Sequence, residues 1–437
     1  MSRQNHYRDR DKDKPNERQM KAEKYLKEYD IQNIITEMIN YLLHKKTKKP
    51  IIEMIKYLGG LLTDEEKKSE NLSIPPLDSD YHPLIDFPKY DKNCNSLLKE
   101  FLDMDTFIKL RDKISKYGTN LGFITRVNEV YPKNNIGLMV GDADCLKKFE
   151  ILYKNIICKA HNLDKDKLEY FTENNFNLKN LVFNDIKKIN LDEIKGLKKI
   201  VLSISRNIYN EPFVSFYNVE NRTENIQRRL DSELIKIKYY KDLIGVNDNK
   251  IKMNDIIKNI NYDMDFFNAV NPKDNLIQKQ RKIYKNGNDT ILVLINFCDN
   301  FQLIKSIIID KKIKKPLNDI FIENFNEFND AIRSLQYYFG FEFDHNFGYL
   351  TSRISLFGTG FRIQTEINLD DINKGDIKLE EIINKIEFDK YSENIDINSN
   401  GNILIFSSSP KISTKSFNEF LIQYFEKILK IIEIKNE

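Results

Sequence analysis

The densest group of chemistry-capable residues in the chain is Phe357-Gly358-Thr359-Gly360-Phe361-Arg362. Two glycines let backbone N–H groups close on a phosphate, and the arginine two residues on supplies a bidentate donor. The same spacing suits an ordinary tight turn, so the hexapeptide alone names no ligand. A second candidate is Val293-Leu294-Ile295-Asn296-Phe297-Cys298-Asp299, an apolar run of buried-strand type ending in a polar turn. Cys298 has no histidine near it in sequence and follows Phe297, which reads as a packed core thiol rather than a nucleophile. The five histidines (His6, His44, His82, His161 and His345) are scattered without metal-ligand spacing, so no metal is expected. Asp142 and Asp144 read as N-caps of a helix over 145–157 rather than as paired catalytic carboxylates.

Whatever chemistry these residues do needs a scaffold, and the 437-residue chain has room for two or three domains. Its 69 basic and 66 acidic residues leave a net charge of +3, without the basic excess of a nucleic-acid binder. The four cysteines (Cys94, Cys145, Cys158 and Cys298) form no CxxC pair and are too few for a disulfide framework. Residues 1–24 hold no apolar core of signal-peptide type, and no apolar run approaches the ~20 residues that span a bilayer. The expectation is a reduced, cytoplasmic protein with neither membrane nor nucleic acid as partner.

The chain divides by composition. Residues 1–22 are a polar, mixed-charge segment expected to be a disordered tail. Over 23–63, Ile31, Ile35, Met38 and Leu42 recur at helical spacing, and Ile51, Ile55, Leu58 and Leu62 repeat it after Pro50, a residue favoured at a helix start. A two-helix hairpin of this size has too little core to stand alone, so its apolar stripe should be shared with a second copy. Residues 64–88, with four prolines, read as a linker. From 89 to 180 the periodicity is helical, notably over 96–116 and 145–161. From 181 to 437, short β-rich runs at 199–205, 290–296, 361–367 and 403–407 alternate with helical segments at 317–339 and 417–434. The fold class is α+β.

Taken together in order, these segments resemble the phosphagen kinases, the ATP:guanidino phosphotransferases that include arginine and creatine kinase. The resemblance covers about 89–437. Phe87-Pro-Lys-Tyr90, Ser96–Asp112 and Gly137–Asp144 look like the family's small helical domain, and Lys199–Ser203 like the first strand of its catalytic domain. Arg281–Asn296 matches, without gaps, the segment leading to the family's N-E-E-D-H motif, and Gly348–Arg362 matches its G-Y-x-x-T-C-P-S-x-x-G-T-x-x-R block. The resemblance implies a helical domain followed by a large antiparallel sheet flanked by helices.

The same alignment implies that the reacting groups are gone. The position of the family's cysteine thiolate holds Arg353, the paired glutamates are Phe297 and Cys298, and the motif's histidine is Asn300. Gln302, Ser205 and Asn207 stand where phosphate-binding arginines are expected, with Arg206 on the opposite face of the strand. Lys285 replaces a further histidine, and Tyr391-Ser-Glu-Asn394 carries none of the flexible-loop arginines. Of the nucleotide-gripping arginines only Arg362 is in place, leaving Gly358, Thr359, Gly360 and Arg362 as a vestigial nucleotide site. Each charge-assisted hydrogen bond contributes roughly 1.5–3 kcal/mol. Losing about four forfeits some 6 kcal/mol or more of the roughly 8 kcal/mol behind micromolar affinity. The reading that follows is a pseudoenzyme needing no cofactor, with residual Mg-ATP binding left open. Two alternatives stand beside it: a nucleotide-sensing regulatory subunit, and an active ATP-binding phosphotransferase with altered chemistry using Lys285 and Glu366.

The hairpin resembles the docking-and-dimerisation domain of the type II regulatory subunit of cAMP-dependent protein kinase, over about 23–62. That resemblance implies a homodimer or heterodimer forming a four-helix bundle, through Ile31, Ile35, Met38, Leu42, Ile51, Ile55 and Leu58. The bundle would receive the amphipathic helix of an anchoring protein. It also implies a cytoskeletal setting in the axoneme of a cilium or flagellum, with axonemal proteins as partners.

Overall fold

The computed structural model describes residues 17–45, 49–62, 87–88, 90–92, 94–130, 134–176, 178, 189–213, 220–234, 240, 244–245, 282–285, 290–310, 312, 314–372, 388–397, 402–414 and 416–433. They fall into two units, Met1–Asp86 and Phe87–Glu437. The linker expected at 64–88 lies almost wholly outside the described residues.

The first unit holds α1 (Glu17–Glu28), α2 (Ile31–Lys45) and α3 (Pro50–Leu61). The expected tail is therefore helical from Glu17, because 17–28 is built of strong helix formers (Glu, Arg, Gln, Met, Lys, Ala, Leu) despite its polarity. Pro50 occupies the first turn of α3, as its fixed φ favours. The interior is unusually polar: Glu53 and Lys56 are buried and paired at 3.3 Å, and the Tyr41 hydroxyl donates to Glu53 Oε2 at 3.0 Å. Of the seven residues expected to form the shared stripe, Met38 packs inside this unit, Ile31, Leu42 and Ile55 are half-buried, and Ile35, Ile51 and Leu58 are exposed. Ile39, Leu43 and Leu61 are exposed with them.

The second unit begins with short helices: α4 (Leu97–Phe101), α5 (Met104–Leu110), α6 (Leu121–Val130), α7 (Asp144–Lys148) and α8 (Glu150–His161). The continuous helical spacing at 96–116 is broken at Leu102-Asp103, because the Asp103 carboxylate caps α5 by accepting from Thr106 N–H at 2.7 Å. Asp142 and Asp144 are not helix caps. Ala143 holds that position, while Asp142 is buried and accepts from the Ser115 and Thr119 hydroxyls at 2.5 and 2.7 Å. Asp144 accepts from Lys116 N–H at 2.8 Å, so both acids fasten the 115–119 turn.

The rest of the unit is built on one antiparallel sheet. Its strands are β1 (Leu197–Arg206), β2 (Ile244–Gly245), β3 (Lys282–Lys285), β4 (Ile291–Ile295) and β5 (Phe301–Ile308), with β8 (Phe361–Asn368), β9 (Glu393–Ile397) and β10 (Ile403–Ser408) beyond a small hairpin of β6 (Phe343–Asp344) and β7 (Gly348–Tyr349). Their order is β2-β3-β4-β5-β1-β8-β10-β9, every neighbour antiparallel. The helices of this region are α9 (Glu220–Leu234), α10 (Leu317–Tyr338) and α11 (Phe417–Glu433). An aromatic cluster joins α10 and α11 to β8: the Phe361 ring centroid lies 6.1 Å from those of Phe325 and Phe328 and 5.0 Å from that of Phe417. Strand β5 was hidden from the periodicity by Lys305, which is buried mid-strand and pairs with Glu327 on α10 at 2.6 Å.

Gly348 and Gly358 close the base of the loop between β7 and β8. Both have left-handed φ (76° and 93°), and Tyr349 N–H donates to Gly358 O at 2.9 Å. A Cβ on Gly348 would stand 2.5 Å from Gly358 Cα, so only glycine allows the approach.

Candidate functional site

Three segments meet at one end of the sheet: the end of β1, the turn from β4 to β5, and the loop 350–357. The register that aligns β1 with β5 puts Ser205 opposite Gln302 and Arg206 opposite Phe301, so the β4–β5 turn is carried to the β1 terminus. There Phe297, Cys298, Asp299 and Asn300 are all buried, as are Ser205, Asn207 and Ser352. Their polar atoms satisfy each other. Asn207 Nδ2 donates to Asp299 Oδ1 at 2.7 Å, and Ser352 N–H donates to the same oxygen at 2.6 Å. Asn300 N–H donates to Asn207 Oδ1 at 2.9 Å, Ile208 N–H to Asn300 Oδ1 at 2.9 Å, and Asn300 Nδ2 to Pro212 O at 3.1 Å. The Ser352 hydroxyl donates to Cys298 O. Burial holds the Asp299 carboxyl above its usual range, while these bonds and Arg353 pull the other way. The cluster is a clasp across three loops with no exposed reactive atom.

Arg206 faces a different surrounding. Its guanidinium is fully buried, donates to Ser205 O at 2.8 Å and Thr359 O at 2.7 Å, and lies 3.9 Å over the Tyr349 ring. Burial lowers its pKa to about 10. The glycine turn is absorbed by the same packing. Gly360 N–H donates to Leu356 O and Phe361 N–H to Thr359 Oγ1, while Gly358 O and Gly360 O accept from Tyr349 and Ser205. The turn expected to cradle a phosphate thus directs its polar atoms to the β1 terminus and to its own loop.

Beside the clasp lies a cavity of about 130 Å³, lined by residues of 134–138, 353–356 and 390–394 together with Arg362, Ser407 and Ser409. Arg362 projects from β8 and donates to the Ser407 hydroxyl at 2.7 Å. Arg353 is buried in the wall, its Nη2 3.9 Å from Cys298 Sγ. Lys390 is held at the rim by Asn135 Nδ2, which donates to its carbonyl at 2.8 Å. Glu393 chelates the Lys427 amine at 2.7 and 2.9 Å. Below the floor, His161 is buried, its Nε2–H donating to Ile354 O at 2.7 Å while Nδ1 accepts from Ile412 N–H at 3.2 Å. Burial holds this imidazole neutral, with a pKa near 4. Among the described residues no three His, Cys, Asp or Glu side chains gather to hold a metal ion, and no helix is long and apolar enough to cross a membrane.

Comparison with known proteins places this architecture. The N-terminal domain model of the ATP:guanido phosphotransferases matches residues 92–158, and the C-terminal catalytic domain model matches 218–409. The chain carries both domains of the ATP:guanido phosphotransferase family. In fold it is similar to the substrate-free duplicated taurocyamine kinase from Schistosoma mansoni (TM-score 0.58, 17% identity, 78% of this chain and 47% of that chain). It is equally similar to a lombricine kinase (TM-score 0.57, 17% identity, 80% and 94%). The chain spans about half the length of the duplicated enzyme. No match was found among curated protein sequences.

Within that phosphotransferase fold, Phe297, Cys298, Asn300 and Arg353 do converge, which sequence order alone could not show. Of the four residues read as a vestigial nucleotide site, Arg362 lines the cavity, whereas Gly358, Thr359 and Gly360 do not. Lys285 and Glu366 are not brought together: β3 and β8 are four strand spacings apart, about 19 Å. Glu366 instead pairs with Lys199 across β1 and β8 at 3.1 Å. Sequence reasoning missed Ser352, Lys390 and Asn135. The retained Asp299 within the matched motif was the one available signal for the clasp.

Proposed function

We propose that this phosphotransferase-fold chain is a non-catalytic structural protein that docks through its N-terminal helices. One observation carries the reading: of the positions aligned with the family's reacting groups, Phe297, Cys298, Asn300, Asn207 and Arg353 are buried, and Asn207 and Asn300 are tied up in hydrogen bonds with each other and with Asp299. Removing a single preorganised donor from a catalytic site typically costs about 10²–10³ in rate, and here several positions are altered together. The test is incubation of the purified protein with ATP and arginine, creatine, taurocyamine or lombricine under a coupled phosphoryl-transfer assay. No turnover is expected. Turnover abolished by Arg362→Ala would falsify the reading and favour the active-kinase alternative. The nucleotide-sensing alternative draws on Arg362 and the cationic cavity, and calorimetry with Mg-ATP separates it from a scaffold that binds no nucleotide.

The docking half of the proposal rests on an inverted polarity. Glu53, Lys56 and Met38 are buried in the first unit, while Ile35, Ile39, Leu43, Ile51, Leu58 and Leu61 face outward. A second copy of the chain is the occupant that suits such a small unit, since pairing two exposed apolar stripes supplies the missing core. Light scattering of the full chain should report a dimer, and Ile39→Glu with Leu43→Glu should convert it to monomer. A wild-type monomer contradicts the proposal. An anchoring helix as the bundle's ligand, and a ciliary or flagellar axoneme as its setting, follow the hairpin resemblance and are tested by locating a tagged copy in cells.

A further inference from the structure

We propose that the turn 115–119 is a latch that holds the helical lobe (94–161) shut against the sheet lobe in the absence of any ligand, with Asn210 as its catch. The turn is set from within its own lobe. The buried Asp142 carboxylate accepts from the Ser115 and Thr119 hydroxyls at 2.5 and 2.7 Å, and Asp144 accepts from Lys116 N–H at 2.8 Å. Ser115 N–H also donates to Thr119 O at 2.9 Å, which closes the turn. Its tip is thereby presented to the loop that follows β1. There the Tyr117 hydroxyl donates to Asn210 O, and Lys116 Nζ donates to Asn210 Oδ1 at 2.6 Å. Asn210 has a left-handed φ of 59°, a conformation that asparagine tolerates better than most residues. Its N–H is fixed in turn by Glu342 Oε2 at 2.7 Å, which ties the catch to the stretch between α10 and β6.

The latch does not act alone. Phe213 N–H donates to Gly141 O at 2.8 Å and Val140 N–H to Ser352 O at 3.1 Å, so the stretch beside Asp142 bonds the sheet lobe through its own backbone. On α8, His161 joins Ile354 O and Ile412 N–H at 2.7 and 3.2 Å. Val140, Gly141, Phe213, Ser352 and His161 are all buried, so water cannot replace these bonds unless the seam opens. Each buried bond broken lowers the open population by roughly tenfold or more, and four together hold it at about one part in 10⁴ or less. Hinge and shear motions use interfaces that give way at a smaller cost. The consequence is one rigid body, open too rarely for lobe movement to gate a ligand. This rigidity concerns motion, not turnover, so it can fail while the scaffold reading stands.

Hydrogen–deuterium exchange of the full chain without ligand, read by mass spectrometry, tests it. The backbone amides of Val140 and Phe213 are expected to be protected by about 10⁴ or more. Tyr117→Phe combined with Lys116→Met should speed their exchange by about tenfold and leave the amides of β8 unchanged. Lys116 is exposed and Tyr117 half-buried, so the double variant keeps its core. The control Tyr337→Phe, at a side chain 85% exposed near the end of α10, should change neither set of amides. Wild-type protection below about 10² would show a seam that opens freely. Unaltered exchange in the double variant would show that the turn is no latch, and equal acceleration of β8 would show a loss of global stability instead. Any of these three outcomes overturns the proposal.

Discussion

The buried clasp and the cationic cavity are built from adjacent residues yet treat polarity in opposite ways. Ser352 turns into the clasp, where its N–H and hydroxyl are consumed by Asp299 and Cys298, while the next residue, Arg353, borders the cavity with its guanidinium 3.9 Å from Cys298 Sγ. In the clasp, side chains hydrogen-bond to one another and shut out solvent. In the cavity, charges face a space large enough for a small ligand. Clasp residues therefore answer to stability, whereas rim residues are free to answer to binding.

Mutations can break that comparison, beginning with the largest effect. Asp299→Ala leaves the Asn207 amide and the Ser352 N–H without their buried acceptor, at roughly 1–3 kcal/mol each. The expected loss is about 4 kcal/mol, read as a fall of about 10 °C in melting temperature. Asp299→Asn keeps the accepting oxygen and should cost about 1 kcal/mol or less, unlike the collapse of activity expected of a catalytic carboxylate. A severe cost for Asp299→Asn would show that the charge itself is needed.

Acidification probes the boundary between the two regions. His161 is held neutral by burial, with a folded pKa near 4 against about 6.5 for an unfolded imidazole. The unfolded chain binds the proton more readily, so this contribution is complete above about pH 6.5 and lost as pH falls toward 4. Its size is on the order of 3 kcal/mol. Denaturant unfolding between pH 7.5 and 4.5 should show that slope in the wild type and a shallower one in His161→Gln. Equal slopes would place the proton elsewhere. Because His161 bonds the backbone of Ile354 and Ile412, the floor of the cavity should loosen first. The smallest effect belongs to Lys390→Ala at the exposed rim, which should change stability by no more than about 0.5 kcal/mol. A larger loss would mean that the rim is part of the core.

Much of this architecture was legible in the sequence because apolar period and turn chemistry are local. Lys199–Ser205, Thr290–Asn296, Phe361–Ile367 and Ile403–Ser407 all lie on strands of the one sheet, give or take an end residue. Strand β5 escaped because Lys305 interrupts its apolar run, and the remedy is an ion pair with Glu327 from a distant helix. The site was legible only as aligned positions. Motif order brought Phe297, Cys298, Asn300 and Arg353 to notice, but the mutual bonds of Asn207, Asp299 and Asn300 depend on the β1–β5 register. Lys390 joins the cavity through a contact with Asn135 across 255 residues of chain, which no local pattern encodes.

The paired glycines at 348 and 358 have a further consequence for how such a loop can change. Their backbone contact closes the nine intervening residues at the base, so the loop meets the rest of the sheet through a fixed knot. Lengthening a loop whose ends are already pinned adds only a logarithmic entropy cost, about 0.6 kcal/mol per doubling. Inside the noose Leu350 and Ser352 bond the strand ends, so a change at position 353 leaves those ties in place. A lineage can rewrite the chemistry at position 353 while inheriting the closure that Gly348 and Gly358 make.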